Sequence, residues 1–279
     1  MPGLSPNETR LKTEVLIATG LTSEVFSWGP ERVLKLFFPW VQRETVEREF
    51  SATQAIHRAG MPTPAAFELL QVGQRSGIVF ERLHGDSLLR GVERRPWTLF
   101  TAARQLAEQH ARVHSYDALP ELSTQREQIE RWIASAEDFP PAQKAAARAQ
   151  MARLPTGGAL CHGDFHPGNI ILTSRGPMII DWAGASRGHP LGDVARTSVL
   201  FESANLPPNT PLKIRILMKL ARQLLHRTYL RRYLEVRPGT LEDIESWRVV
   251  QRLAGLAWRA GKNAALAKLQ LQPDQTPSN

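Results

Sequence analysis

The segment from Leu160 to Leu172, LCHGDFHPGNIIL, gathers side chains that can bind a metal ion or accept a proton. Its two histidines, aspartate and asparagine precede an apolar run, and a second apolar run further on ends at Asp181. Carboxylate and amide oxygens without sulfur ligands suit a hard cation such as Mg²⁺, held mostly through substrate phosphates. We therefore predict that Asn169 and Asp181 bind one Mg²⁺.

The spacing of the two apolar runs predicts how these ligands meet. The runs flank Ser174-Arg175-Gly176-Pro177, which is typical of a β-hairpin. With Arg175-Gly176 as the turn, Asp181 faces Ile170, one position from Asn169. Facing residues have Cβ atoms about 5 Å apart, so the two oxygen ligands are expected to converge.

Asp164 lies five positions before Asn169, and His162-x-Asp164-x₄-Asn169 is the spacing of the kinase catalytic loop. In that loop the aspartate accepts or orients the hydroxyl that is phosphorylated. Asp164 is therefore the predicted catalytic residue. A second His-Gly-Asp, at 84–86, has glycine at the asparagine position, and we interpret it as a turn that opens the next segment.

A metal-dependent hydrolase is an alternative, because His162, Asp164 and His166 alternate and would share one face of a strand. Pro167 and the glycine after it favour a loop instead.

Two other potential ligand groups are given structural interpretations. His110 and His114 stand four apart on a predicted helix but lack the glutamate of the zinc-protease signature, so we interpret them as packed helix residues. Cys161 is interpreted as a small buried side chain.

Phosphoryl transfer also needs a cation on the nucleotide phosphates, paired with a glutamate on a helix. Lys35 interrupts the apolar strand pattern RVLKLFF, and Glu49 on the following helix is its first predicted partner, with Glu47 as the alternative.

The rest of the predicted nucleotide site comes from order along the chain. The segment ATGLTSEVFSWG lacks the Gly-x-Gly-x-x-Gly loop of protein kinases, yet Gly20, Thr22 and Ser23 could still cover phosphates. The segment VFERL, with Glu81 and Leu83, is expected to link two lobes and to face the adenine.

The predicted elements divide into two parts. Residues 1–82 read as short strands interrupted by one helix, and residues 83–279 read mainly as helices. The predicted fold class is α+β, with a small antiparallel sheet plus a helix followed by a larger helical lobe. We assign nucleotide binding to 1–82, and catalysis and acceptor binding to 83–279.

Composition narrows the function classes. The net charge is +8, and 13 Lys/Arg against 5 Asp/Glu fall in residues 205–279, on segments with helical periodicity. Since no zinc finger or aromatic-interleaved basic loop is present, the sequence argues against nucleic acid as a partner. The sequence shows neither a membrane span nor a signal peptide, and with a single cysteine we expect a cytoplasmic protein.

These motifs resemble those of the aminoglycoside phosphotransferase and choline-kinase-like family, which has the protein-kinase-like fold. The resemblance rests on HGDFHPGNIIL followed by IIDW, and it runs from about Gly20 to Phe201. It implies ATP-dependent, Mg²⁺-assisted phosphorylation of a small-molecule hydroxyl. It also implies that Asp193, in GHPLGDVAR, braces the catalytic loop.

The acceptor class is left open by the sequence. The family resemblance allows an aminoglycoside-like antibiotic, a sugar, an amino alcohol or a related metabolite. The basic C-terminal helices favour a neutral or anionic acceptor over a polycation. Glu242, Asp243 and Glu245 could form an acidic patch, although we favour their interpretation as a solvated helix start. The alternative to a kinase on the same fold is a nucleotide-binding pseudoenzyme.

Overall fold

The computed structural model describes residues 5–117, 119–135, 140–203 and 210–270. A short helix, α1 (Pro6–Leu11), comes first and was not predicted. It begins with a capping box, in which the Ser5 hydroxyl accepts the Glu8 amide and the Glu8 carboxylate accepts the Ser5 amide.

A five-stranded antiparallel sheet follows, in the order β1-β2-β3-β5-β4. Its strands are β1 (Leu16–Thr19), β2 (Ser23–Ser27), β3 (Arg32–Phe37), β4 (Ala66–Val72) and β5 (Arg75–Glu81). Helix α2 (Arg43–Arg58) lies between β3 and β4 in the chain and packs on one face of the sheet.

The alternation of side chains along β3 decides where its lysine points. Leu34 and Leu36 are fully buried on the face away from α2, and Phe37 packs with Val46 of α2 on the other face. Because successive side chains of a strand point to opposite faces, Lys35 shares the α2 face with Phe37.

The second part of the chain is mainly helical. Its helices are α3 (Leu88–Arg94), α4 (Leu99–Val113), α5 (Gln125–Ser135), α6 (Pro141–Arg153), α7 (Pro190–Ser203), α8 (Leu212–Val236) and α9 (Leu241–Gln270). Helix α6 begins at Pro141, which occupies the first turn, where its missing N–H costs nothing.

Two small sheets lie within the helical part. One contains β6 (Gly85–Ser87), β8 (Ile170–Thr173) and β9 (Gly176–Ile179), and the other pairs β7 (Ala159–Cys161) with β10 (Ser186–Gly188). Short 3₁₀ turns occur at Pro96–Thr98, Pro167–Asn169 and Trp182–Gly184. Cys161 is fully buried, as predicted.

The first His-Gly-Asp triplet is therefore not a turn, and that prediction is wrong. Gly85 and Asp86 belong to β6, which pairs with β8 in an antiparallel ladder. A Cβ on Gly85 would lie 2.0 Å from the Leu172 carbonyl oxygen, so glycine is needed for the two strands to approach. Ser87 then caps α3 by accepting the Arg90 amide.

The two parts of the chain meet where β9 ends. The Ile179 amide donates to the Pro62 carbonyl at 2.8 Å, and the Trp182 indole donates to the Thr63 hydroxyl at 2.9 Å. The predicted α+β arrangement, a small antiparallel sheet lobe and a larger helical lobe, is confirmed. Within the described residues, no helix is long and apolar enough to cross a membrane.

Candidate active site

The segment after β7 forms a loop held by its own histidine. The Asp164 amide donates to His162 Nδ1 at 3.2 Å, so Nε2 carries the ring proton and donates to the Ile180 carbonyl at 3.0 Å. Gly163 has φ +79°, and a Cβ there would lie 2.3 Å from the Gly184 carbonyl oxygen. The chain can make this turn only with glycine.

Within that loop, Asp164 and Asn169 lie together. The Asn169 side-chain amide donates to the Asp164 carbonyl at 2.9 Å, which leaves its Oδ1 oxygen available as an acceptor or ligand. Asn169 is buried, whereas 38% of the Asp164 side chain is exposed. The loop therefore exposes the Asp164 carboxylate to solvent and holds the Asn169 side-chain amide in place.

The predicted hairpin exists, but its predicted register is wrong. Thr173 pairs with Gly176 and Ile170 with Ile179, so the turn is Ser174-Arg175 and Asp181 lies beyond the strand. The Ile180 amide donates to the Asn169 carbonyl at 3.0 Å, which still brings the two chain segments side by side. Gly176 adopts φ +99° at the first position of β9, directly after the turn.

Asp181 itself has a left-handed backbone, with φ +67° and ψ +66°. It is the one non-glycine residue with positive φ in the described part of the chain. This conformation costs a non-glycine residue about 1–2 kcal/mol. It turns the chain sharply after β9 and directs the carboxylate toward β3.

Lys35 joins the two parts of the site. Its Nζ atom lies 2.6 Å from Glu49 Oε1 and 2.9 Å from Asp181 Oδ1. The structure thus brings Glu49 to Lys35, while the alternative partner Glu47 pairs with Arg43 on the exposed side of α2. Three predicted site residues from β3, α2 and the end of β9 therefore converge.

The electrostatics of this trio follow from burial and charge pairing. Burial would lower the pKa of the Lys35 ammonium, but Asp181 and Glu49 outweigh it and raise that pKa above its usual range. Lys35 likewise overcomes burial at Asp181 and keeps the pKa of that carboxyl below its usual value. At Glu49 burial dominates and raises the pKa to about 7. Glu49 Oε2 is buried without a hydrogen-bond partner among the described residues.

The predicted phosphate-covering residues form a tight turn between β1 and β2. The Gly20 amide donates to the Ser23 carbonyl at 2.8 Å, and the Thr22 carbonyl accepts the Phe38 amide at 2.9 Å. Ser23 is buried and pairs with Phe37 in the sheet. Gly20 and Thr22 therefore lie in the turn, and Ser23 begins β2, the strand that pairs with the strand of Lys35.

The predicted linker residues lie at the end of β5. The Glu81 amide donates to the Ala65 carbonyl, and the Glu81 carboxylate bonds the Ala65 amide and the Arg175 guanidinium. Within the described residues the Leu83 amide makes no hydrogen bond. The free backbone donor in this segment is thus on Leu83, whereas Glu81 is engaged on both its backbone and its side chain.

Comparison with known proteins decides the family. A family model described as "Phosphotransferase enzyme family" matches residues 16–212, which is most of the chain. The chain belongs to this phosphotransferase family. The family predicted from the sequence is thereby confirmed.

This chain matches curated relatives over part of its length. It is 32% identical over 187 residues to acyl-CoA dehydrogenase family member 11 of Gallus gallus, covering 56% of this chain and 23% of that protein. It is 26% identical over 192 residues to acyl-CoA dehydrogenase family member 10 of Mus musculus, covering 60% of this chain and 17% of that protein. The chain therefore spans less than a quarter of the length of these relatives.

Solved structures share the fold of this chain at low sequence identity. An aminoglycoside-3′-phosphotransferase of type VIII has a TM-score of 0.60 at 18% identity, covering 86% of this chain and 93% of that one. A choline/ethanolamine kinase family protein from Mesorhizobium loti gives 0.59 at 17%, covering 96% and 88%. An aminoglycoside phosphotransferase in a ternary complex with ADP and hygromycin B gives 0.58 at 15%, covering 94% and 96%.

A buried polar network lies beneath the loop that carries Asp164 and Asn169. Asp193 Oδ2 accepts the His162 amide at 2.6 Å, and Oδ1 accepts the Gly163 amide at 2.8 Å. His110 of α4 and His114, the C-cap of that helix, also contact Oδ2 through Nε2, at 3.1 and 3.3 Å. These donors outweigh burial and hold the pKa of Asp193 far below its usual range.

Two tyrosines of α8 complete the network. The Tyr229 hydroxyl lies 2.7 Å from His110 Nδ1, and the Tyr233 hydroxyl lies 2.6 Å from His114 Nδ1. With each hydroxyl donating to Nδ1, each Nε2 carries a proton and donates to Asp193. Sequence reasoning placed the histidines in a packed helix but missed this role. The available signal was the matched i, i+4 spacing of the histidine and tyrosine pairs.

The network also explains why the histidine pair need not hold a metal. Within the described residues, His110, His114 and Asp193 are the one group of three or more His, Cys, Asp or Glu side chains close enough to share an ion. Every ring nitrogen in it already has a hydrogen-bond partner. His162, Asp164 and His166 do not form such a group, which removes the geometric basis of the hydrolase alternative.

Proposed function

We propose that this protein transfers the γ-phosphoryl group of ATP to a hydroxyl group of a small molecule, with Mg²⁺ as cofactor. The observation that carries the proposal is the position of Lys35, which bridges Glu49 of α2 and Asp181 of the β9 end. This arrangement puts a fixed cation beside the loop that carries Asp164 and Asn169, as phosphoryl transfer requires.

In this proposal residues 1–82 form the nucleotide-binding lobe and residues 83–279 the catalytic and acceptor-binding lobe. Lys35 contacts the nucleotide phosphates, and Glu49 holds the ammonium in place. Gly20, Thr22 and Ser23 cover the phosphates from the β1–β2 turn. The segment from Glu81 to Leu83 faces the adenine, where the Leu83 amide is the available donor.

Asn169 and Asp181 fit a Mg²⁺ site by the chemistry of their free atoms. Asn169 keeps Oδ1 free because its amide nitrogen is engaged with Asp164, and Asp181 retains a carboxylate that is 35% exposed. Both are oxygen ligands of the kind Mg²⁺ prefers. When bound, the ion supplies positive charge that neutralises the phosphate oxygens during transfer.

The chemical step then uses the chain's own groups in defined roles. The acceptor hydroxyl gives its proton to the Asp164 carboxylate as its oxygen bonds to the γ-phosphorus. The bond between that phosphorus and the β,γ-bridging oxygen breaks, and ADP leaves with the electron pair. Lys35 stabilises the charge left on the phosphates, while the Asp193 network keeps the loop from moving.

The acceptor we propose is a neutral or anionic small molecule, such as a sugar, an alcohol or a related metabolite. Two of the three acidic residues at the start of α9 are engaged: Asp243 caps α9 through Thr240, and Glu245 pairs with Arg248 and Arg252. Of that group, only Glu242 is left for a polycationic antibiotic.

The test is turnover by the parent protein and two variants. The parent, incubated with ATP, Mg²⁺ and a panel of hydroxylated acceptors, is expected to release ADP and yield an acceptor that has gained one phosphate by mass spectrometry. Asp164→Ala is expected to lose at least about 100-fold in kcat while still binding ATP, as expected for removal of a general base. Asp181→Ala should weaken Mg²⁺-dependent ATP binding.

The pseudoenzyme alternative predicts a different outcome of the same experiment. A regulatory module would bind ATP, with Lys35→Met abolishing binding, yet would release no ADP with any acceptor. An Asp164→Ala variant that turns over acceptor at the parental rate would contradict the assignment of Asp164 as the base.

A further inference from the structure

We infer that His166 is a positioning residue that orients the Asp164 carboxylate for proton transfer; the inference rests on the proposed function. His166 Nε2 lies 3.8 Å from Asp164 Oδ2. No other nitrogen of the described Lys, Arg and His side chains comes within 4.0 Å of this carboxylate, and no described group donates a hydrogen bond to it. The orientation of the His166 ring therefore determines the orientation of the Asp164 carboxylate.

The proton on His166 is placed by the turn that follows it. The Gly168 amide donates to His166 Nδ1 at 3.1 Å, so this nitrogen must be the acceptor of the neutral ring. The remaining proton is then on Nε2, the atom that faces Asp164. His166 is thus a donor toward the carboxylate, and in this tautomer it cannot take up the acceptor's proton.

The ring can take this position because residue 168 is glycine. A Cβ on Gly168 would lie 2.8 Å from His166 Cε1 and 2.9 Å from Nδ1, closer than such atoms can approach. Gly168 has no positive φ, so its backbone conformation does not require glycine. Glycine at position 168 therefore leaves room for the His166 imidazole, which occupies the space that a Cβ would fill.

The separation of 3.8 Å is longer than a hydrogen bond, so the contact is electrostatic in this structure and a small rotation of either side chain closes it. An N–H that faces Oδ2 leaves Oδ1 as the oxygen for the acceptor hydroxyl. Without this donor, the half-exposed carboxylate is free to rotate about χ1 and χ2. A fixed base matters because displacements of about 1 Å can cost about 100-fold in rate.

The experiment compares variants of His166 and Gly168 with a matched control. His166→Ala is expected to lower kcat about 10- to 100-fold with an unchanged KM for ATP, since nucleotide binding does not use this ring. His166→Gln places an N–H at the same distance along the side chain and should recover part of kcat. Gly168→Ala displaces the ring and should lower kcat to a similar extent.

A double-mutant cycle separates positioning from general damage to the loop. In the His166→Ala background, Gly168→Ala should add no further loss of kcat, because there is no ring left to displace. The matched control is His84→Ala in the other His-Gly-Asp triplet, where 64% of the side chain is exposed; it should keep the parental kcat. Midpoints of urea unfolding for all variants should stay close to the parent.

Two outcomes would overturn the inference. One is a His166→Ala variant with parental kcat, and the other is a Gly168→Ala loss that persists in full without His166. Either result leaves the proposed function standing as long as Asp164→Ala is inactive. If Asp164→Ala is active, it is the proposed function that fails, whatever His166 does.

Discussion

Among single residues, Lys35 shows how one side chain can depend on two others that are far away in sequence. The ammonium is almost buried and its partner Glu49 is 1% exposed, so neither charge has solvent to stabilise it. Burying charges is tolerable here because each neutralises part of the other. Removing one member of such a group leaves the rest uncompensated.

Lys35→Met is therefore expected to destabilise the protein as well as to remove activity. Breaking a buried ion pair from one side costs about 3–5 kcal/mol, and this change leaves Glu49 beside Asp181 without a cation. Lys35 lowers the pKa of Glu49, so its loss lets that carboxyl take up a proton more readily. Adding Glu49→Gln should therefore restore more of the free energy of unfolding at about pH 9 than at about pH 6, without restoring turnover. Urea unfolding at the two pH values checks this; a rescue of the same size at both would contradict it.

The sequence predicted individual site residues most successfully. The out-of-place lysine in β3, the glutamate on α2 and the aspartate after β9 were named from spacing, and the structure brings them together. The same spacing could not give the left-handed backbone of Asp181, because that conformation arises from the turn between β9 and the following 3₁₀ segment. It is a tertiary property with no residue-type signal.

Among the secondary-structure elements, the β6–β8–β9 sheet holds the loop between Asp164 and Asn169 at its base. Its hairpin was predicted, but the register was off by two because the sequence offers two adjacent turn dipeptides. Gly176 was assigned to the centre of the turn, whereas it supplies the positive φ that begins β9. Strand β6 was missed because three residues are too short for a periodicity to be seen.

Gly85→Ala tests how closely β6 must approach β8. A Cβ would lie 2.0 Å from the Leu172 oxygen, so the strands must separate, and a loss of about 1–3 kcal/mol in the free energy of unfolding is expected. Gly91→Ala is the matched control in α3, because a Cβ there meets nothing within 4 Å. It should stabilise the protein by about 0.5–1 kcal/mol through helix propensity. Equal effects at the two sites would contradict the close approach.

For the whole molecule, the buried histidines dominate the response to acid. Burial lowers the pKa of His110 to about 3 and also lowers the pKa values of His114 and His162. In the unfolded chain histidine takes up a proton near pH 6.5, whereas these three stay neutral in the folded protein. The unfolded state then binds more protons, so acid favours unfolding.

We therefore expect the free energy of unfolding to be nearly constant between about pH 7 and pH 8 and to fall as the pH drops below about 6.5. Each buried histidine contributes up to about 1.4 kcal/mol per pH unit. Urea unfolding between pH 5 and pH 8 measures the slope. A flat profile down to pH 5 would mean that these rings are protonated in the folded state.

The overall fold was largely predictable, because the periodicity of apolar residues indicates which segments form helices and strands and in what order. A sheet with a helix in residues 1–82, followed by a mainly helical part, was expected and is observed. The network under the catalytic loop was not, since it joins α4, α7 and α8, and single-sequence patterns do not report contacts between distant helices.

That network has a consequence for the order in which the enzyme is made. Each tyrosine–histidine contact joins residues 119 positions apart, and Tyr233 comes 69 positions after Asp164. While a ribosome is still synthesising the chain, the aspartate that holds the loop can be present before the hydroxyls that fix its histidine donors. Because domains fold as units once their last partners are available, we expect a nascent protein to gain phosphotransfer competence only after α8 has left the exit tunnel.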